Sequence, residues 1–119
     1  LVKTDEGLST CDASGPSGAV VLAVSAKARV QVLTRQGGKL VDRGVRVDGI
    51  FQPRKIAMRD DGAEVAVGWG NVGGAWGVAL IALAPDGSSA TLTSTLTLGH
   101  SRTAWAITYA GRDRVVVKR

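Results

Sequence analysis

The sequence feature that most constrains the fold is a turn followed by a short apolar run, which occurs three times at long and similar intervals. A turn containing Gly18, Gly62 or Gly111 precedes each run, so that the copies stand 44 and 49 residues apart. Two further turns, at Gly37-Gly38 and Asp86-Gly87, are also separated by 49 residues. A chain with such a repeat is built from similar stacked units rather than from one unrepeated core.

Residues 91–98 show the clearest strand pattern in the chain. Leu92, Leu96 and Leu98 fall on one parity and four threonines on the other, which gives a strand one apolar and one hydroxyl face. Valine and glycine, with 16 residues each, dominate the composition. Valine favours the pleated surface of a sheet and glycine favours turns, so the sequence predicts an all-β fold.

Four short strands fit into each repeat, and the strand-like runs follow the order a-b-c-d, a-b-c-d, a-b. Units of 40–50 residues with four strands are the signature of a β-propeller blade. We therefore predict a partial β-propeller of about two and a half four-stranded antiparallel blades. Its repeats span about 7–49, 50–99 and 100–119, the last incomplete. Since propellers close with roughly four to eight blades, the rest of a propeller or further copies are expected to complete the ring.

Two stretches resemble the WD40 family of repeat proteins. Residues 56–68 are similar to strand a, the turn and strand b of a WD40 repeat, and Gly99-His100 with residues 104–111 resembles its Gly-His dipeptide and the following strand. No Trp-Asp dipeptide is present, so the hydrogen-bond network of the family is not carried over. The resemblance implies a non-catalytic, cytoplasmic scaffold for protein–protein interaction. Residues 52–57 and 61–68 resemble an actin-interacting member, which implies an association with the actin cytoskeleton.

The resemblance implies that partners bind at the loops between strands, because propellers gather partners on the faces that these loops form. An exposed aromatic side chain beside a glycine-rich loop can anchor a partner, although tryptophans are more often core residues. The predicted partner-binding residues come from the b–c loop of the second repeat and from the d–a connections: Trp69, Asn71, Trp76, Arg54, His100 and Arg102.

A different function class is suggested by the pattern G-x-G-x-x-G at Gly68, Gly70 and Gly73. After a strand and before a helix, these glycines hold a dinucleotide pyrophosphate in Rossmann enzymes, and residues 75–84 would have to be that helix. No Asp or Glu lies between Asp86 and Asp113 to bind the ribose. Dinucleotide binding is therefore kept as the alternative, and an oligomeric propeller lectin as a third possibility.

Charge is distributed unevenly along the chain. Residues 27–59 contain nine Lys or Arg and two Asp, whereas residues 60–99 contain four acidic residues and no Lys or Arg. On strands and turns such cations are typical of a solvated surface that deters edge-to-edge pairing, and an acidic protein partner is the next interpretation. Nucleic acid is an unlikely partner, because no aromatic residues for base stacking interleave with the cations.

Other chemistry finds little support in the sequence. With one His and one Cys, the chain offers no clustered metal ligands, and no spacing selects a nucleophile and its base. We therefore expect no metal, no cofactor and no catalysis. The longest apolar run, residues 75–84, is about half of the ~20 residues that a membrane-spanning helix needs, so no membrane association is expected.

Overall fold

The structure, a computed structural model, describes residues 8–13, 20–24, 28–70, 74–84, 87–100, 106–111 and 113–118. These residues contain no helix, which confirms the predicted all-β class. Ten strands follow one another along the chain: β1 (Leu8–Ala13), β2 (Val20–Val24), β3 (Arg29–Gln36), β4 (Lys39–Asp48), β5 (Pro53–Met58), β6 (Glu64–Gly70), β7 (Ala75–Leu83), β8 (Ala90–His100), β9 (Ala106–Tyr109) and β10 (Val115–Lys118).

The strands form three antiparallel sheets in chain order. The first sheet is β1-β2-β3-β4, the second sheet is β5-β6-β7-β8, and the third sheet consists of β9 and β10. Every pairing joins strands that are neighbours in the sequence, because each connection is short enough to turn the chain back on itself. The third sheet contacts the second through β5 and β6, and β1 and β2 also contact β5.

The tight turn between β3 and β4 shows how local sequence sets one of these pairings. Gly37 and Gly38 have φ angles of +58° and +79°, a left-handed conformation that suits a two-residue hairpin turn. Gln36 and Lys39 pair on either side of the turn, as the two-glycine signal predicts. The turn sets the register of β3 against β4 as far as the shift between the pairs of Val32 and Leu33.

The main core lies between the first and second sheets. Aliphatic residues of β2, β3 and β4 pack there against residues of β6 and β7, and all are at most 8% exposed. Val30, Val67 and Ala79 are completely buried. The first sheet supplies Val21, Val30, Val32, Val47 and the adjoining Ile50, and the second sheet supplies Val65, Val67, Trp69, Ala79, Ile81 and Leu83.

The prediction that Leu92, Leu96 and Leu98 share one face of β8 is wrong. Leu92 pairs with Ile81 and packs against the main core, whereas Leu96 and Leu98 are 57% and 42% exposed. The register shifts between the pairs of Leu80 and Ile81, which leaves one residue of β8 without a counterpart. Because side-chain direction alternates along a strand, this one-residue bulge sends Leu96 to the opposite face from Leu92. Leu98 lies at a second shift in register, between the pairs of Trp76 and Gly77.

Candidate functional site

Four of the predicted partner-binding residues meet at one end of the second sheet. In the antiparallel register Pro53 pairs with Trp69, Gly70 pairs with Trp76, and Ala75 pairs with His100. The start of β5 and β7 and the end of β6 and β8 are therefore side by side. We call this end the loop end; Arg54, Trp69, Trp76 and His100 all lie there, while Asn71 and Arg102 are outside the described residues.

Arg54 is an exposed cation whose guanidinium is held in place by two hydrogen bonds. Its Nε–H donates to the carbonyl oxygen of Gly70 at 3.0 Å, and an Nη2–H donates to Oε1 of Gln52 at 3.1 Å. Gln52 itself has a φ of +43°, a left-handed conformation that costs a non-glycine residue free energy. The Gly70 N–H donates to the Gln52 carbonyl at 3.2 Å and helps to hold this turn. The charge of Arg54 is thus positioned in advance of any contact.

Trp69 and Trp76 are buried, so their predicted role as exposed anchors is wrong. They are 8% and 4% exposed. Each ring occupies space that a glycine leaves open on the neighbouring strand. A Cβ added at Gly77 would lie 2.9 Å from Cζ2 of Trp69, and one added at Gly99 would lie 3.0 Å from Nε1 of Trp76. The strand pairing closes these two rings into the protein, where they stabilise the sheet.

Within the described residues, Phe51 is the exposed aromatic residue at the loop end, and no sequence pattern predicted it. Its ring is 49% exposed and packs edge-on against Trp69, with ring centroids 6.5 Å apart and planes at 72°. Phe51, Trp69 and Thr95 line a cavity of about 70 Å³. A half-exposed ring that is supported from below by a buried one is a rigid apolar contact point. The sequence signal that could have identified Phe51 is its position just before the Gln-Pro-Arg turn.

Two of the three glycines of the alternative dinucleotide motif lie in a strand. Gly68 and Gly70 belong to β6, and Ala75–Leu83 is strand β7 rather than the helix that a pyrophosphate site requires. A Cβ at Gly70 would lie 2.5 Å from Cα of Trp76, so close packing explains this glycine. Gly73 is outside the described residues. The helix that the dinucleotide alternative requires is therefore absent from these residues, and that alternative has lost its structural basis.

The basic segment is partly neutralised by acidic residues of its own. Arg46 and Asp42 are 2.8 Å apart, and Arg29 lies 3.0 Å from Asp48. The hydrogen bond from Arg46 and then the one from the Gly44 N–H lower the pKa of Asp42 to about 2. These ion pairs agree with a solvated surface.

A second polar cluster joins the second and third sheets. The Tyr109 hydroxyl donates to Oε2 of Glu64 at 2.8 Å, and Arg59 lies 3.7 Å from the same carboxylate. Arg59 also binds Asp61 through two nitrogens, at 2.8 and 2.9 Å. Burial and then the hydrogen bond with Glu64 raise the pKa of Tyr109 well above its ordinary value. This cluster is paired internally, which suits a structural link better than proton transfer.

Metal chemistry finds no geometric support in the part of the chain that is described. No three His, Cys, Asp or Glu side chains of these residues come close enough together to hold a metal ion. In the same residues there is no helix of the length and apolarity needed to cross a membrane.

Comparison with known proteins does not assign this chain to a family. No family model matches it, and comparison with curated proteins and with solved structures gives no significant match. Its function therefore has to be inferred from its own residues.

Proposed function

We propose that the chain is part of a WD40-like β-propeller that serves as a non-catalytic scaffold for protein–protein interaction. The support for the propeller is the arrangement of the sheets. The first strand of each sheet contacts the first strand of the next, as β1 does with β5 and β5 with β9, and the last strands β4 and β8 also contact each other. Four-stranded antiparallel sheets that stack with their first strands together are the geometry of propeller blades around an axis.

The binding surface of this scaffold is the loop end of the second sheet. The observation that carries the proposal is Arg54, an exposed cation fixed by Gly70 and Gln52. Phe51 and His100 are exposed at the same end of the sheet. A positioned guanidinium and an exposed aromatic ring at one end of the sheet favour a carboxylate-bearing protein surface, since Arg and aromatic residues are enriched at binding hot spots.

A titration with an acidic peptide tests this surface. We expect a hexaglutamate peptide to shift the backbone amide signals of Phe51, Arg54 and His100 in NMR spectra, and added salt to weaken binding. In the variant Arg54→Gln the affinity should fall by about tenfold, which corresponds to about 1.4 kcal/mol. The matched control is Lys39→Gln, because Lys39 is an exposed cation at the turn of the first sheet.

Two results would contradict the proposal. Equal losses of peptide affinity in Arg54→Gln and Lys39→Gln would mean that binding depends only on the net charge of the protein. NMR signal shifts concentrated on the first sheet would show that the peptide binds there and not at the loop end. For the propeller itself, an absence of nuclear Overhauser contacts between Ile56 in β5 and Ile107 in β9 would rule out the stacking of first strands.

A further inference from the structure

The small cavity beside Phe51 contains a hydrogen-bond donor that has no acceptor. The cavity measures about 70 Å³ and is lined by Gly49, Ile50, Phe51, Trp69 and Thr95. Trp69 is 8% exposed, and its Nε1–H is buried without a hydrogen-bond partner among the described residues. An unpaired buried donor costs free energy, so it indicates an acceptor that comes from outside these residues.

A glycine on the neighbouring strand lets the indole reach across the sheet toward this cavity. Trp69 pairs with Gly77 and Gly77 pairs with Thr97, so the three residues form one row on the same face of the sheet. Because Gly77 has no side chain, Cζ2 of Trp69 lies over it. Nε1 and Cζ2 are bonded to the same ring carbon, so the N–H is on the edge of the ring that points toward β8. Thr95, two residues from Thr97 on β8, also lines the cavity.

The size and the donors of the cavity limit what it can hold. A water molecule occupies ~30 Å³ in the liquid, so the cavity has room for about two waters or for a small polar group. The indole N–H can only donate, and the Thr95 hydroxyl can donate as well. An ionised carboxylate only accepts, whereas a primary amide would bring two further donors. None of the five lining residues is acidic, so a carboxylate meets no like charge there.

The mouth of the cavity suits a charged group that keeps part of its hydration. Phe51 is 49% exposed, and Thr95 is also exposed. A carboxylate that enters between them remains in contact with solvent, which lowers the cost of desolvation. Its methylene groups lie against the Phe51 ring, which Trp69 supports edge-on.

We propose that this cavity binds the carboxylate of an Asp or Glu side chain of the partner. The Trp69 N–H and the Thr95 hydroxyl are its two hydrogen-bond donors, and bonds from such donors to an ionised acceptor are stronger than neutral ones. The inference rests on the proposed function, since the acidic partner is the one proposed for the loop end. It adds a site for a single carboxylate, built from side chains other than Arg54.

The indole N–H of Trp69 reports on this site directly in proton–nitrogen NMR spectra. Its signal is assigned through the ring proton on Cζ2, which lies close to Gly77. We expect hexaglutamate to move the indole proton downfield, with the same saturation as the amide shift of Arg54. In Thr95→Val the affinity should fall about fivefold, as the loss of one hydrogen bond predicts. Thr97→Val is the matched control, because Thr97 is exposed on the same strand and does not line the cavity.

The outcomes distinguish this inference from the proposed function. If the amides of Arg54 and His100 shift while the Trp69 indole signal stays in place, the partner binds the loop end without the cavity, and only this inference is overturned. If none of these signals moves, the proposed function fails as well. An equal indole shift with hexaglutamine overturns the carboxylate as the ligand. Equal affinities of Thr95→Val and Thr97→Val overturn the two-donor site.

Discussion

At the scale of single residues, backbone conformation divides the turns into relaxed and strained ones. Gly38 adopts a φ of +79° with open space around it, which glycine tolerates without cost. Ala28, by contrast, holds a φ of +52°, and its carbonyl accepts a hydrogen bond from the N–H of Ile50 at 3.1 Å. The left-handed conformation at Ala28 is thus kept by the packing of the turn against β4 and not by its own preference.

Exchanging alanine and glycine at these two positions should change stability in opposite directions. We expect Ala28→Gly to raise the free energy of unfolding by about 0.5–1 kcal/mol, since the left-handed cost of roughly 1–2 kcal/mol exceeds the added flexibility of glycine in the unfolded chain. Gly38→Ala should lower it by about 1 kcal/mol, because only the backbone conformation opposes the methyl group. Urea denaturation measures both changes. A stabilised Gly38→Ala variant would contradict the left-handed conformation of Gly38.

Asp42 is the residue at which stability should depend on acid. Hydrogen bonds from Arg46 and Gly44 lower its pKa to about 2, so the folded state holds the ionised form more strongly than the unfolded state does. Its contribution is present above about pH 4 and is lost as the pH falls toward 2. We expect Asp42→Asn to flatten the slope of unfolding free energy between pH 4 and 2. The control Asp48→Asn, at a side chain that is 69% exposed, should retain that slope.

At the scale of elements, β8 shows how a bulge divides one strand between two surfaces. Before the shift in register, Leu92 belongs to the core between the first and second sheets. After it, Leu96 lines a groove between the second and third sheets. The hydroxyl of Thr93, at the bulge, donates to the carbonyl of Leu80 at 3.0 Å, which holds the extra residue.

The two leucines should therefore differ in their effect on stability. Leu92→Ala is expected to cost about 1–2 kcal/mol, below the range for a fully buried leucine because Leu92 is only partly buried. Leu96→Ala should cost less than about 0.5 kcal/mol, as is usual for surface substitutions. Equal losses, measured by urea denaturation, would show that both leucines share one face of β8 after all.

At the scale of the whole molecule, the third sheet is attached to the second through a few defined contacts. The hydrogen bond from Tyr109 to Glu64, at 2.8 Å, crosses between them. Because Arg59 contacts the same carboxylate, the charge of Glu64 is compensated at this junction. The attachment of β9 and β10 thus depends on a polar link as well as on apolar contact.

Titration of the single tyrosine reports directly on this junction. Burial and the hydrogen bond with Glu64 raise the pKa of Tyr109 above its ordinary value of 10.0, so its neutral form is favoured in the folded state. The contribution to stability is full below pH 10 and is lost as the pH rises. We expect tyrosinate absorbance to appear only well above pH 10 in the folded protein and near 10 in urea. Tyr109→Phe should lower stability by about 1 kcal/mol, and a normal titration in the folded protein would show that the third sheet is not docked.

Much of the strand pattern was predictable from local sequence, whereas the burial of individual side chains was not. The pair Gly37-Gly38 predicted a hairpin, and the alternating threonines and leucines predicted β8. Whether residues 75–84 form a helix or a strand could be decided only from their pairing with neighbouring strands. An apolar run of this length suits a helix and a strand equally well. Arg54 and His100 both lie at the loop end, on the first and last strands of the second sheet, but Phe51 was found only from its exposed position against Trp69.

The sequence by itself determined that the chain forms short antiparallel strands in chain order, because turn residues and side-chain alternation act between near neighbours. Tertiary structure alone decided which faces are buried. A one-residue bulge in β8 reverses the direction of Leu96 relative to Leu92, and two glycines on adjacent strands admit Trp69 and Trp76 into the protein. These outcomes depend on register between strands, and register is set by contacts across the sheet that no local pattern records.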